Sequence, residues 1–212
     1  MNIFDLVLVI KNHLTDDECL RLIKEYERKK ITAGKEQSFH AYEEKMTTSN
    51  FKRVEINESS DQYDLVKSKT ESALNIWLAY LQEKKSFNIP ILRSVLQYPY
   101  SFRILKYEVG SYIHPHTDWE HFNYASVTLN LNQSYTGGEF VFMNGKHKIN
   151  LEKGDALVFP TDHYWVHETY PILSGNRYSV NTFISNVHSN DRNIISKEIY
   201  KSQQGHDRIF KL

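Results

Sequence analysis

The chain has 212 residues, with Lys+Arg and Asp+Glu balanced at 26 each and no basic run. The footprint of a general nucleic-acid binder is therefore missing, and the length suits one domain able to bury a substantial core. The lone cysteine, Cys19, permits no intrachain disulfide, and the apolar run in MNIFDLVLVIKNHL is too short to span a membrane and lacks a cleavage site, so a cytoplasmic protein without a membrane anchor is expected.

The first apolar segment, FDLVLVI, reads as a buried strand. After it, Thr15 and Glu18 form a capping box, acidic residues crowd the first turn and basic ones the last, which predicts a helix over 16–30. Residues 32–62 are polar and without a clear period, the pattern of a long surface loop with short strands in it. Val66, Thr70, Ala73, Leu74, Trp77, Leu78 and Leu81 then fall on one helical face, giving a second amphipathic helix up to Lys84.

From Tyr98 the period changes from helical to alternating. SFRILKY, YASVTLNLN, GEFVFM, KHKINL, ALVFP, VHETY and RYSVNTFIS are β-like runs parted by Gly137-Gly138, Asn144-Gly145 and Gly154-Asp155. Such spacing predicts a sandwich or barrel with helices before it and room for a small ligand inside. The polar end of the chain reads as a tail that either docks as a short helix or frays.

The stretch GSYIHPHTDWEHF carries the chemistry, and two metal-ligand spacings compete in it: His116-x-Asp118, and His114-x-His116 with Glu120. Alternation along a strand points His116 and Asp118 the same way across Thr117. A third ligand could come from His121, His147, His163 or His167, and His167, inside a β-like run, has the most rigid support. Two histidines and a carboxylate make a facial triad with open positions, the ligand set of non-haem Fe(II) oxygenases. Arg177 follows at the start of another strand, and its planar fork suits a carboxylate. A metal beside a carboxylate clamp points to a keto-acid cosubstrate.

The segments YEVGSYIHPHTDW, SVTLNLNQSYTGGEFVF and KGDALVFPTDHYWVHETYPILSGNRYSV, between Tyr107 and Ser185, resemble the Fe(II)/2-oxoglutarate-dependent dioxygenases, most closely the prolyl 4-hydroxylase-like branch. The resemblance implies His116, Asp118 and His167 as iron ligands and Arg177 as partner of the distal 2-oxoglutarate carboxylate. Tyr107 matches a family tyrosine that hydrogen-bonds this cosubstrate, and Asn130 stands where relatives often place a tyrosine near it. The implied fold is α+β and mainly β: a double-stranded β-helix, or jelly-roll, with N-terminal supporting helices. One oxygenase domain over 1–212 is expected, with helical support and loops over 1–97, the β-helix core over 98–187 and a C-terminal tail over 188–212. Fe(II), 2-oxoglutarate and O2 are implied, with ascorbate a further candidate, and succinate and CO2 as products.

The expected activity is hydroxylation of prolyl residues in a peptide or protein, with a free amino acid or small metabolite as the alternative substrate. His114, Trp119, His121, His163, Tyr164 and Trp165 are candidates for the barrel mouth, where aromatics would suit a proline ring; Trp165 fits the core equally. A cupin-type metal or sugar binder would use His114, His116 and Glu120, but it lacks the expected glycine after Glu120, has Asp162 where glycine is usual, and gives Arg177 no task. A nucleic-acid demethylase would need a second arginine where Phe183 stands, and a halogenase would lack the carboxylate present at Asp118.

Overall fold

Alternation along each strand assigns its two faces. In the run 125–131, Ala125, Val127, Leu129 and Leu131 join one apolar core, while Ser126, Thr128 and Asn130 point the other way and are also buried. Both faces are therefore covered, one by helices and one by a second sheet. The polar face lies inside.

The computed structural model describes residues 2–43, 45–84 and 87–202. In chain order these form β1 (Leu8–Ile10), α1 (Asp16–Lys29), β2 (Gln37–Phe39), β3 (Met46–Thr48), β4 (Lys52–Glu55), α2 (Tyr63–Glu83), α3 (Ile89–Val95), β5 (Tyr98–Tyr107) and β6 (Ile113–His116). The remainder is β7 (Asn123–Asn130), β8 (Tyr135–Gly137), β9 (Phe140–Phe142), β10 (His147–Ile149), β11 (Ala156–Pro160), β12 (His167–Thr169), β13 (Ile172–Gly175), β14 (Arg177–Ser185) and α4 (Ser189–Ser202). A large antiparallel sheet runs β1-β11-β7-β14-β5-β4, and a smaller one runs β10-β9-β12-β6. Together they form a double-stranded β-helix, with β8 and β13 as a separate ribbon and β2–β3 as a hairpin.

The outer face of the large sheet packs on α1 and α2 through Leu22, Tyr26, Val66, Leu74, Trp77 and Leu81. Between the sheets, Phe140, Phe142, Leu157, Phe159 and Trp165 form a second core. Trp165 is thus a core residue and not part of the mouth. The capping box is present, with Glu18 N–H donating to Thr15 Oγ1 at 3.3 Å and Thr15 N–H to Glu18 Oε2 at 2.8 Å.

Three features depart from the expectations. The first apolar run is a 3-10 turn over Ile3–Leu6 followed by a short, half-buried edge strand, because β11 flanks it on one side only. The 32–62 segment holds the short strands expected in it but is more than a surface loop, since β4 is the outermost strand of the large sheet and Gly34 bridges Arg53 through two 2.9 Å backbone bonds. Strands β6, β8 and β13 and the short helix α3 carry too few residues to show a period.

A polar seam joins α1 to the barrel. Glu25 is buried, which alone would raise its pKa, but Lys29, Arg28 and Ser60 hydrogen-bond it and bring it down to about 2. Glu27 accepts from Tyr178 Oη at 2.6 Å and, with Lys30 and Lys106 adding against burial, is also brought to about 2. Both folded-state values are depressed, so the stability they contribute is complete above their ordinary value of 4.5 and is lost as pH falls toward about 2. The thermal midpoint is expected to drop steeply across that window, and Glu25→Gln should flatten the drop. A midpoint independent of pH there would remove this seam from the stabilising contacts.

Candidate metal centre and cosubstrate cavity

The two histidines of the proposed triad come from neighbouring strands. β6 pairs antiparallel with β12, and the register sets His116 opposite His167 with ring centroids 4.3 Å apart. Each ring's Nδ1 lies 2.9 Å from a backbone carbonyl two residues earlier, His116 on His114 O and His167 on Trp165 O. A carbonyl only accepts, so it assigns the proton to Nδ1 and leaves the Nε2 lone pair for a cation.

Both Nε2 atoms face one carboxylate. Asp118 Oδ1 lies 3.4 Å from His116 Nε2, and Oδ2 lies 3.5 Å from His167 Nε2. One ligand atom from each residue falls within 4.8 Å of the others, and this is the one such group among the described residues. Burial pushes His167 down to about 4, which keeps it neutral. Burial also opposes a charge on His116, but the Asp118 hydrogen bond and charge outweigh it and raise that pKa, so metal and proton compete at this ring. Asp118 is itself held well below the usual carboxylate range, its burial overcome by His167, His116 and Ser126. Two imidazole lone pairs and an ionised carboxylate fit a divalent ion with open positions.

Asp118 does not share a strand with His116, as alternation predicts. β6 ends at His116, and the carboxylate sits on the following loop. Ser126 Oγ on β7 holds it by donating to Oδ2 at 2.6 Å, and Asn123 Nδ2 donates to the Asp118 carbonyl at 3.0 Å. Neither support was legible as such in the sequence; the signal was the inward polar face of β7.

The competing ligands are engaged elsewhere. Glu120 is exposed and pairs with Arg192 of α4, and His114 Nε2 lies 3.1 Å from Ser38 Oγ with its ring stacked on His40 at 5.0 Å. His147 stacks on Phe4 and His163 packs on Trp119, which in turn meets His121. The cupin ligand set is not assembled. Trp119 and His121 border a separate apolar cavity of about 390 Å³ beside α2 and α3, while the Tyr164 side chain is largely exposed.

Arg177 opens β14 opposite Tyr107 of β5, and both are buried in the wall of the cavity that contains the triad. The guanidinium donates from Nε to Asn130 Oδ1 and from Nη1 to Gly138 O, each at 3.3 Å, and lies 5.4 Å from the Tyr107 ring centre. No carboxylate of the described residues pairs with it. Gly138 has φ +71°, and a Cβ there would meet Ile172 Cδ1 at 2.5 Å, so glycine is required where the backbone approaches this arginine. Asn130 lies behind Arg177: its Oδ1 also accepts from Tyr135 Oη at 3.2 Å, and its Nδ2 donates to the carbonyls of Asn132, Leu151 and Glu152.

A jelly-roll that gathers two histidines and an aspartate beside a buried, carboxylate-free arginine has the parts of a non-haem iron oxygenase dependent on a dicarboxylate cosubstrate. Residues 102–185 match the family described as the 2OG-Fe(II) oxygenase superfamily, so this segment carries a 2-oxoglutarate-dependent dioxygenase domain. Fe(II) is its cofactor, and 2-oxoglutarate and O2 are its cosubstrates. Among solved structures, it is similar to a viral collagen prolyl hydroxylase from Paramecium bursaria Chlorella virus-1 in complex with 2OG, at 18% identity and TM-score 0.61 over 86% of this chain and 97% of that one. A Pseudomonas putida prolyl-4-hydroxylase matches at 17% identity and TM-score 0.61, over 86% and 94% of the two chains. A Trichoplax adhaerens prolyl hydroxylase in complex with a hypoxia inducible factor peptide fragment matches at 15% identity and TM-score 0.64, over 94% and 88%. At these identities the likeness is one of fold. No curated protein sequence matches the chain.

Proposed function

We propose that this dioxygenase hydroxylates prolyl residues of a peptide or protein, with His116, Asp118 and His167 as the iron ligands and Arg177 as the partner of the far carboxylate of 2-oxoglutarate. One observation carries the assignment of roles: the three ligand atoms and the buried, carboxylate-free guanidinium line a single cavity. When bound, Fe(II) supplies the oxygen chemistry that attacks an unactivated C–H bond, at the expense of 2-oxoglutarate, which leaves as succinate and CO2. The side chains do the rest. The carbonyls of His114 and Trp165 fix the imidazoles, Ser126 fixes the carboxylate, Asn130 and Gly138 aim the arginine, and Leu105, Ile113 and Phe140 keep water out of the cavity wall. Tyr107 lies beside Arg177, where its hydroxyl can reach the same cosubstrate.

The prolyl substrate rests on fold likeness to three prolyl hydroxylases, one of them with a peptide. A cytoplasmic site of action and the action of residues 1–212 as one domain belong to the same reading; no helix among the described residues is long and apolar enough to cross a membrane. A second reading, hydroxylation of a free amino acid, is favoured by a charged pair inside the cavity, Glu36 with Arg103. Iron-loaded protein incubated with 2-oxoglutarate and a panel of proline-containing peptides should release succinate and add 16 Da, one oxygen atom, to a peptide, as read by mass spectrometry. Mass gain on free amino acids alone would move the assignment to a small-molecule hydroxylase.

A further inference from the structure

The cavity holds a second buried arginine that the cosubstrate does not need. Arg103 lies on β5, two alternations before Tyr107, and faces inward beside Asn181 of β14. Its Nη1 pairs with Glu36 and Phe183 covers its guanidinium face at 4.5 Å, but its Nε is enclosed and finds no acceptor among the described residues. An enclosed donor of a charged group without a partner costs stability.

Glu36 is fixed just as firmly. Its N–H donates to Ser49 Oγ at 2.9 Å, and its carbonyl accepts from Ser49 N at 2.7 Å. Arg53 approaches its other oxygen at 4.0 Å, but also pairs with Glu55. A carboxylate and a guanidinium are therefore held side by side in the wall of the reaction cavity, one from the segment before β2 and one from the barrel.

Charge decides what can bind against them. Arg103, Arg177, Glu36 and Asp118 sum to zero, and Fe(II) is balanced by the two carboxylates of 2-oxoglutarate. A further group of net charge would be uncompensated in a desolvated site, whereas a dipolar one would not. We propose that Arg103 and Glu36 are the recognition pair for the prime substrate, Arg103 taking a carbonyl or carboxylate oxygen and Glu36 the neighbouring N–H or ammonium of an amino-acid unit. The inference rests on the hydroxylase reading of the cavity but not on the substrate being prolyl. The dipole has two sources, a peptide amide or a free amino-acid zwitterion.

The test is anaerobic calorimetric titration of protein loaded with Fe(II) and 2-oxoglutarate, using the free L-amino acids and capped peptides such as acetyl-Gly-Pro-Gly-amide as probes. Wild type should bind at least one probe. Arg103→Gln should weaken that probe roughly ten- to hundred-fold, the range carried by a hydrogen bond to a charged group, while 2-oxoglutarate affinity stays unchanged. Glu36→Gln separates the sources: a zwitterion should lose affinity as strongly as in Arg103→Gln, whereas a peptide N–H can still donate to the Gln oxygen and should lose little. The exchanged pair Glu36→Arg with Arg103→Glu keeps the link between the two segments but inverts the dipole, so it should fold and fail to bind. Unchanged probe affinity in the exchanged pair or in Arg103→Gln would reduce the two residues to a tether and overturn the proposal. Binding of no probe by wild type would overturn it too. Binding of non-prolyl probes alone would end the prolyl assignment and leave the pair in place.

Discussion

Asp118→Ala is expected to abolish tight Fe(II) binding and turnover, whereas Glu120→Ala should leave both nearly intact. The carboxylate is the one anionic member of the group, and without it two buried neutral imidazoles face a dication with no charge compensation. Glu120 is solvent-exposed and bound to Arg192, so its loss reaches the centre only through the surface. Ser126→Ala gives a graded control: removing the 2.6 Å hydrogen bond that orients Asp118 should weaken iron by about 10- to 100-fold, the usual effect of a lost outer partner. Metal content of the three variants decides. Iron lost from the Glu120 variant and kept in the Asp118 variant would overturn the ligand set.

Arg177→Leu is expected to retain iron and the fold but to lose about 3–5 kcal/mol of 2-oxoglutarate binding, the cost of removing one partner from a desolvated ion pair. The arginine is 2% exposed, so water cannot replace the guanidinium. Arg177→Lys should recover little, since a point charge cannot donate to Asn130, Gly138 and a carboxylate in one plane. Anaerobic titration measures both. Asn130→Ala should act in the same direction more weakly, because it frees the arginine to turn without removing it. Unchanged affinity in the Leu variant would leave the cavity without its cosubstrate anchor.

Side chains whose position follows from short-range pattern were readable from the sequence. The face of α2 from Val66 to Leu81, the cap at Thr15 and the long strands β5, β7 and β14 each carry their own period. The family motif singles out His116, Asp118, His167 and Arg177, which the fold brings to one cavity, but it does not describe how they are held. Asp118 depends on Ser126, and Arg177 on Asn130 and the backbone of Gly138, across strands that lie together only in the folded sheet. Glu36 was hidden for a further reason: it sits in a polar segment with no period, and its partner Arg103 is far along the chain. Trp165 was ambiguous because an aromatic residue near a turn fits a mouth or a core, and only its contact with Phe142 decides.

The pairing of β6 with β12 has a consequence for how the chain folds. From His116 to His167 the chain closes a loop of 51 residues (167 − 116), and the two rings meet only when that loop is closed. Closing so long a loop carries an entropic cost that local contacts cannot offset, so this contact belongs among the non-local steps that slow a β topology. An ion held by both rings acts as a non-covalent staple across the loop, binding the native chain and not the open one. Iron should therefore raise the unfolding temperature in proportion to the logarithm of its concentration, and chelation should lower it.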